Sequence, residues 1–194
     1  MKEALIRKAI AKDPGAIEAL YDFYAPALLS VCFRYCGNKD DAEDILHDGF
    51  IKIIQHIRNF KVRSDGSLEA WMRRIMVNTA LNFLRSRQKE KSFIDIDPIL
   101  ERIDLHDEEE PDPEEIYLQV DREQILGLIC SLPSGYRTVF NLYVFEQYGH
   151  REIAELLGCT ENTSKSQLSK ARGLLRKKMN QLVNIKISPT YEKV

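Results

Sequence analysis

Apolar residues recur at helical spacing along almost the whole chain, and no segment sustains the alternation of apolar and polar positions typical of a half-buried strand. The pattern therefore predicts an all-α protein. Within residues 1–91 it predicts four helices, separated by breaks at Asp13-Pro14-Gly15, at Gly37-Asn38 and at Arg63-Ser64-Asp65-Gly66.

Residues 92–115 separate this first block from a second one. The stretch ends in DLHDEEEPDPEE, where the acids repel one another and two prolines prevent a regular helix, so we predict an acidic flexible linker. The second block, residues 116–183, is again helical, with breaks at residues 132–135 and at Gly158. Residues 184–194 are expected to form a frayed tail. The predicted architecture is two small helical domains joined by a linker.

The segment DAEDILHDGFIKIIQHI combines an apolar face with a polar one. Helical phasing groups its apolar positions into a continuous inward stripe of Ala42, Ile45, Leu46, Gly49, Phe50, Ile53, Ile54 and Ile57. The opposite face is polar and carries Asp41, Asp44, His47, Asp48 and Lys52.

The segment SLEAWMRRIMVNTALNFLRSRQKEK also has two faces. The side expected to face the core carries Met72, Met76, Ala80, Phe83 and Leu84. The other side is a ridge of one aromatic, two amide and two basic residues: Trp71, Arg74, Asn78, Asn82 and Arg85. Such a ridge suits single-stranded or strand-separated DNA, because Trp stacks on bases, Asn hydrogen-bonds base edges and Arg holds phosphates. The pattern alone leaves open the alternative that Trp71 only packs at a domain edge.

The segment YGHREIAELLGCTENTSKSQLSKARGLL has the spacing of a helix-turn-helix. Ile153, Ala154 and Leu157 form the inward face of its first helix, and Ala154 is small where the two helices must cross closely. Gly158 stands in the turn, where a positive φ is expected, and Thr160 is the predicted N-cap of the second helix.

The second helix of this motif has an apolar side and an outward polar side. Phasing places Ser164, Leu168, Ala171 and Leu175 inward. The outward side carries short polar and basic residues that suit the major groove: Asn162, Lys165, Ser166, Ser169 and, at its edge, Arg172. A solvated amphipathic helix at the end of a bundle is the alternative. The absence of acids from residue 162 to the end of the basic run favours DNA binding.

The charge distribution supports a nucleic-acid partner although the net charge of the 194-residue chain is only −2. Residues 61–91 hold eight Lys or Arg and three acids, and residues 165–178 hold six Lys or Arg and no acid. Residues 101–115 hold nine acids and one Arg. Two basic blocks and an acidic one cancel in the total but not in space.

Sequence features that would indicate a metal site, a membrane span or an enzyme are weak. Cys32 and Cys36, or Glu43 and His47, share a helix face, but neither pair has partners that complete a ligand set. We expect no metal and no cofactor. The chain has no phosphate-binding Gly loop and no recognisable nucleophile with a base, so an enzyme is not expected. No run approaches the roughly 18 apolar residues of a membrane span, and the N-terminus lacks a signal sequence, which predicts a cytoplasmic protein without membrane insertion.

Three segments in a fixed order resemble the extracytoplasmic-function (ECF) sigma factors of the sigma-70 family. They are DAEDILHDGFIKII, SLEAWMRRIMVNTALNFLR and, after the acidic stretch, LPSGYRTVFNLYVFEQYGHREIAELLGCTENTSKSQLSKAR. The resemblance covers about residues 16–179. It implies a sigma-2 domain over residues 1–91 and a sigma-4 domain over residues 116–183, in a factor that binds core RNA polymerase and directs it to promoters. In that setting the acidic linker would thread towards the RNA exit path.

The resemblance also implies a role for each surface. The polar face of Asp41, Asp44, His47, Asp48 and Lys52 would dock on the clamp coiled coil of the polymerase β′ subunit. The −10 element would be recognised and melted by a loop and by the ridge, through Phe60, Lys61, Arg63, Ser64, Trp71, Arg74, Asn78, Asn82 and Arg85. The −35 element would be recognised near the β flap, through Asn162, Thr163, Lys165, Ser166, Ser169, Lys170 and Arg172.

The chain departs from the family pattern at two places. His47-Asp48 stands where the family usually has Gln-Glu, and Asn162 stands where Gly is frequent. The first change keeps a hydrogen-bonding and an acidic group, whereas the second adds a side chain close to DNA. An anti-sigma factor is a further expected partner. The competing hypothesis is a one-component regulator that binds duplex DNA without polymerase.

Overall fold

The computed structural model is helical and divides into two compact units, Met1–Asp95 and Ile96–Val194. It describes residues 2–60, 67–91 and 121–187, and every regular element within these ranges is a helix. The predicted all-α class is confirmed. The predicted linker, residues 92–115, lies outside the described residues.

The first unit contains the four predicted helices. They are α1 (Lys2–Ile10), α2 (Pro14–Cys36), α3 (Lys39–His56), which continues into a 3-10 turn (Ile57–Asn59), and α4 (Ser67–Lys91). The first two predicted breaks coincide with caps, and the third, residues 63–66, lies outside the described residues. The Asp13 carboxylate accepts a hydrogen bond from the amide of Ala16 at 2.8 Å, so that Pro14 occupies the first turn of α2. The Asn38 side chain likewise caps α3 by accepting from the amide of Asp41 at 2.9 Å.

The core of the first unit lies between α2, α3 and α4, which pack against one another in all three pairs. The predicted apolar stripe of α3 is buried along its length, except that Ile54 is only half-buried. On α4, Met72, Met76 and Ala80 are fully buried, while Phe83 and Leu84 are half-buried. The two helices are packed tightly at Gly49 of α3, where an added Cβ would lie 2.2 Å from the sulfur of Met76 on α4.

Helix α2 is the most apolar helix of this unit. Its 23 residues and a mean hydropathy of 1.3 would by length and composition suit a membrane span, which the sequence prediction did not anticipate. Its buried residues include Leu20, Leu28 and Cys32, on the side that packs against the other core helices. The other side is not covered in the same way, since Phe23 is 65% exposed.

The second unit carries the predicted helix-turn-helix. Its elements are α5 (Arg122–Cys130), α6 (Ser134–Phe140), a π-helical turn (Asn141–Phe145), α7 (His150–Leu157) and α8 (Glu161–Ile187). Two details differ from the prediction. The chain breaks again before α7, where Gln147 has a φ of 58°. Helix α8 extends to Ile187, so the first residues of the predicted tail are helical.

The core of the second unit includes one buried basic side chain among apolar ones. The apolar residues most shielded from solvent come from every helix and are Ile129, Leu132, Val139, Leu142, Ile153, Leu168 and Ala171. Arg137 is buried with them and donates to the carbonyl of Cys130 at 2.6 Å. Because this carbonyl is at the C-terminus of α5, Arg137 satisfies a helix end and fixes α6 against it.

Candidate nucleic-acid interface

The ridge predicted on α4 is exposed along its length. Arg74, Asn78, Asn82 and Arg85 are all exposed, while Trp71 is half-buried. The Arg85 guanidinium donates to the Asn82 carbonyl oxygen at 3.0 Å. The ridge therefore presents amide and guanidinium groups on a helix whose opposite side is held in the core, which gives the groups a rigid base.

Trp71 is supported from below by Phe60. Their ring centroids lie 5.3 Å apart with an interplanar angle of 43°. Phe60 is only 9% exposed and packs against Trp71, while its role in −10 recognition stays a prediction. The half-buried indole thus rests on an aromatic support and still has an accessible part. Lys61, Arg63 and Ser64 lie outside the described residues.

The polar face of α3 is narrower than the phasing predicts. Asp44, His47 and Asp48 are exposed one turn apart, as expected. Lys52 is half-buried, and its ammonium group lies 3.2 Å from the Thr79 hydroxyl on α4. Of the five residues predicted for this face, the exposed ones are therefore two carboxylates and one imidazole.

Asp41 is the clear correction on α3. Phasing places it on the exposed face, but its side chain is only 10% exposed and forms an ion pair of 2.6 Å with Arg87 of α4. Asn38 donates to the same carboxylate oxygen at 2.7 Å. The carboxylate is buried because it receives these two donors, one of them charged. Its partner Arg87 is 46 residues away, so the contact is invisible to helical phasing.

The helix-turn-helix has the predicted local structure. Gly158 ends α7 with a φ of 68°, a left-handed conformation that favours glycine. The Thr160 hydroxyl accepts from the amide of Thr163 at 3.1 Å and caps α8. Of the residues predicted to face inward on α8, Ser164, Leu168 and Ala171 are buried, and Leu175 is half-buried.

The outward side of α8 is exposed as predicted at Asn162, Lys165, Ser166, Ser169 and Arg172, while Thr163 and Lys170 are half-buried. Lys165 forms an ion pair with Glu161 of 2.8 Å, and this hydrogen bond and charge lower the pKa of the Glu161 carboxyl. The pair lies one helical turn apart at the surface, where water and salt screen it strongly. Lys165 therefore remains available to an external phosphate.

A stack of side chains supports Arg172, and sequence reasoning missed it. The Arg172 guanidinium lies 5.6 Å from the centre of the Tyr143 ring, and His150 stacks on that ring at 4.8 Å. The imidazole Nδ1 of His150 lies 3.0 Å from the buried hydroxyl of Ser164. These residues come from three separate elements, so their contacts cannot be predicted from the periodicity of one helix. The only indication in the sequence was the presence of aromatic residues near the motif.

The cysteines and acids do not form a ligand set in the part of the chain that the structure describes. Within residues 2–60, 67–91 and 121–187, no three His, Cys, Asp or Glu side chains are grouped so that they could hold a metal ion. All four cysteines are free thiols. Cys36 donates to the carbonyls of Cys32 and Asn38, each at 3.2 Å, and burial raises the pKa of the Cys32 thiol to about 12. Cys32 therefore stays a neutral apolar residue of the core.

Comparison with known families and proteins matches both units. Residues 20–90 match the family described as Sigma-70 region 2, and residues 122–175 match the family described as Sigma-70, region 4. The chain is 28% identical to the ECF RNA polymerase sigma factor SigW of Bacillus subtilis, over 93% of this chain and 100% of that protein. It is 32% identical to the RNA polymerase sigma factor SigV of the same organism, over 80% of this chain and 82% of that protein.

Two further similarities span most of the chain. The ECF RNA polymerase sigma-E factor of Haemophilus influenzae is 27% identical over 93% of this chain and 96% of that protein. Among solved structures, the sigma factor RpoE of Bartonella quintana, crystallised with the anti-sigma factor NepR, is 21% identical. It covers 89% of this chain and 98% of its own, with a TM-score of 0.48.

Proposed function

This chain belongs to the ECF sigma factors of the sigma-70 family, which direct RNA polymerase to promoters and have no catalytic activity, and we propose how its exposed surfaces divide that task. The proposal assigns polymerase docking to α3, recognition of the −10 element to α4 and recognition of the −35 element to α8.

The α4 ridge is the surface proposed to recognise and melt the −10 element, and its exposure is the observation that carries the proposal. Asn78 and Asn82 are one turn apart and both exposed, so their amides can hydrogen-bond the edges of unpaired bases. Arg74 and Arg85 lie at the same side of the helix and supply charge for phosphates. Trp71, supported by Phe60, is suited to stack on a base at the end of the ridge.

The exposed group Asp44, His47 and Asp48 is proposed to dock on the β′ clamp coiled coil of the polymerase. Its two carboxylates suit a basic partner surface. Lys52 is proposed to lie at the edge of this docking surface. It is half-buried, and its ammonium group already contacts the Thr79 hydroxyl.

The outward side of α8 is proposed to enter the major groove at the −35 element, with the second unit also meeting the β flap. Ser166, Ser169 and Asn162 carry the hydrogen-bonding groups for base edges, and Lys165 and Arg172 meet phosphates. Asn162 has a side chain where glycine is frequent in the family, so it is the residue expected to alter −35 preference.

The remaining partners follow from family membership. We propose that the protein acts in the cytoplasm, where polymerase and chromosome are, and that an anti-sigma factor restrains it. Such an anti-sigma factor is expected to compete with core polymerase for binding to this protein.

The test of the −10 assignment is in-vitro transcription with core polymerase and the full-length chain on a library of genomic promoter DNA. The wild-type protein is expected to give discrete transcripts. The double variant Asn78→Ala/Asn82→Ala is expected to bind core normally but to lose these transcripts, because it removes the amides that hydrogen-bond base edges. It also removes the acceptor of Arg85 on Asn82. The control is Glu69→Gln, which changes an exposed residue of the same helix away from the ridge.

Three outcomes would contradict the proposal. Transcripts from the double variant that match the wild type would remove Asn78 and Asn82 from −10 recognition. Loss of core binding by the same variant would place part of the ridge in the polymerase interface. A protein that shifted duplex DNA alone and directed no start with core would favour the one-component regulator.

A further inference from the structure

Helices α3 and α4 are joined by polar contacts at two levels. Asp41 in the first turn of α3 contacts Arg87 near the end of α4 at 2.6 Å, and Lys52 near the end of α3 contacts Thr79 in the middle of α4 at 3.2 Å. The two helices are therefore antiparallel along this contact. Both contacts fix the same register, because sliding or rotating either helix would break them together.

The Asp41 contact is not an ordinary surface ion pair. The side chain of Asp41 is 10% exposed and that of Arg87 is 50% exposed. By contrast, the exposed pair Lys39–Glu43 on the same helix is 3.5 Å long, with side chains 76% and 52% exposed. A carboxylate buried to this degree needs its donors, since an unpaired buried charge is strongly unfavourable.

Arg87 is itself held in place by a ring. Its guanidinium lies 4.8 Å from the centre of the Phe83 ring, one turn earlier on α4. The cation–π contact and the ion pair together restrict the side chain to one direction, towards α3. Asn38 completes the group on the other side, where its side-chain amide donates to the carboxylate that Arg87 binds.

We propose that Asp41 and Arg87 are positioning residues that hold the −10 ridge at a fixed orientation to the polymerase-docking face. Asp41 is then a support inside the first unit and not a polymerase contact, and Arg87 is not primarily a phosphate contact. This inference rests on the proposed roles of α3 and α4.

The positions of the residues explain why the ion pair would affect promoter opening. Asp44, in the proposed docking group, is one turn after Asp41, and Asn82 and Arg85 of the ridge lie within the two turns before Arg87. Polymerase bound on α3 can deliver the ridge to the separated strand only if α4 keeps its angle to α3. A recognition surface must be held to within about 0.5 Å, which requires support of this kind behind it.

The test uses full-length protein with core polymerase and a promoter that the wild type opens. The variants are Asp41→Asn, Arg87→Gln, their combination and the conservative Arg87→Lys. The control is Glu69→Gln, which removes an exposed carboxylate from α4 on the side away from the ridge. The measurements are core affinity and the fraction of promoters opened, by permanganate reactivity of unpaired thymines.

We expect both single variants to bind core within twofold of the wild type and to open promoters about 5- to 30-fold less. The double variant is expected to be no worse than the worse single variant, because both changes remove the same contact. It also leaves no unpaired buried charge, so it tests the inference even if Arg87→Gln does not fold. Arg87→Lys is expected to restore most of the opening, and Glu69→Gln to leave it unchanged.

Three results would overturn the inference. Weaker core binding by Asp41→Asn alone would make Asp41 a direct polymerase contact. Arg87 would be a phosphate contact if the losses of promoter opening in the two single variants added up in the double variant. In that case the slope of log promoter affinity against log salt concentration would also fall by about one in Arg87→Gln. Normal opening by the double variant would show that the ion pair positions nothing. Failure of the proposed function looks different, because the wild type would then not bind core or Asn78→Ala/Asn82→Ala would still open promoters.

Discussion

Replacement of Gly49 by alanine should destabilise the first unit, although the same change in an ordinary helix interior stabilises. Gly49 lies within α3, and a Cβ there would be 2.2 Å from the sulfur and 2.8 Å from the terminal methyl group of Met76. Both distances are shorter than any normal non-bonded contact. Met76 is fully buried on α4, so its side chain can make room for the Cβ only by shifting within the core.

The magnitude follows from two opposing effects. Exchange of glycine for alanine in a helix interior gains about 1 kcal/mol of stability. Forcing an extra methyl group into a packed core costs about 1–3 kcal/mol. Since methionine is flexible enough to absorb part of the strain, we expect a net loss of about 1 kcal/mol. In a Met76→Ala background the obstruction is gone, and Gly49→Ala should then stabilise by about 1 kcal/mol.

The assay is urea denaturation of the full-length chain, followed by the fluorescence of Trp71. This residue is the single tryptophan of the protein and belongs to the first unit, so its signal reports on that unit. Gly127→Ala is the matched control, because Gly127 is also inside a helix and a Cβ there would meet nothing within 4 Å. This control should stabilise the second unit, as measured by circular dichroism.

The reasoning would be refuted if Gly49→Ala stabilised the wild type as much as Gly127→Ala does. It would also fail if the effects of Gly49→Ala and Met76→Ala were additive, since the close approach requires the sign to reverse between the two backgrounds. An additive result would mean that α3 and α4 can separate slightly at no cost, and that this contact does not set their distance.

Two further predictions concern single residues. Thr160→Ala should destabilise the start of α8 by about 1 kcal/mol, because it removes the cap on the Thr163 amide, and hydrogen exchange of the first-turn amides should accelerate; unchanged exchange, with Thr160→Ser as the conservative control, would contradict the cap. Cys32, with its pKa raised to about 12 by burial, should resist alkylation at pH 8 in the native protein, while the half-buried Cys159 reacts. Equal labelling of both thiols would disprove the burial of Cys32. Burial of the neutral Cys32 thiol also makes its full contribution to folding stability below about pH 9, and this contribution is lost as the pH rises towards 12.

Helical phasing predicted the elements in which one face is buried and the other is not. The stripe on α3 and the inward side of α8 were correct because burial on one side leaves a period of 3.6 residues in the sequence. The cap at Thr160 was predicted for a similar reason, since it depends on residues within three positions along the chain. Asp13 and Asn38, which lie at predicted breaks, form caps of the same local kind.

Phasing failed where a distant residue decides the environment. Asp41 is polar and lies on the side of α3 that phasing predicts to be exposed. It is buried because Arg87 of α4 packs against it. Phe60 follows α3 and precedes a basic loop, so the sequence cannot tell an aromatic residue that projects to DNA from one that supports Trp71. Positive φ at Gln147 gave no signal either, because the residue is not glycine.

The π-helical turn at Asn141–Phe145 has a consequence for how this chain tolerates changes of length. The amide of Glu146 bonds to the carbonyl of Asn141 at 3.2 Å, five residues back, so this turn holds one residue more than an α-helical turn does. Deletion of one residue here would restore an ordinary helix but rotate everything that follows by about 100°. Such a deletion would not reduce the helix propensity of the segment. It would nevertheless misalign Tyr143 with His150, and Arg172 would lose its contact with the Tyr143 ring. The extra residue thus keeps the side chains before the turn aligned with those after it. We therefore expect insertions and deletions among relatives to avoid this turn.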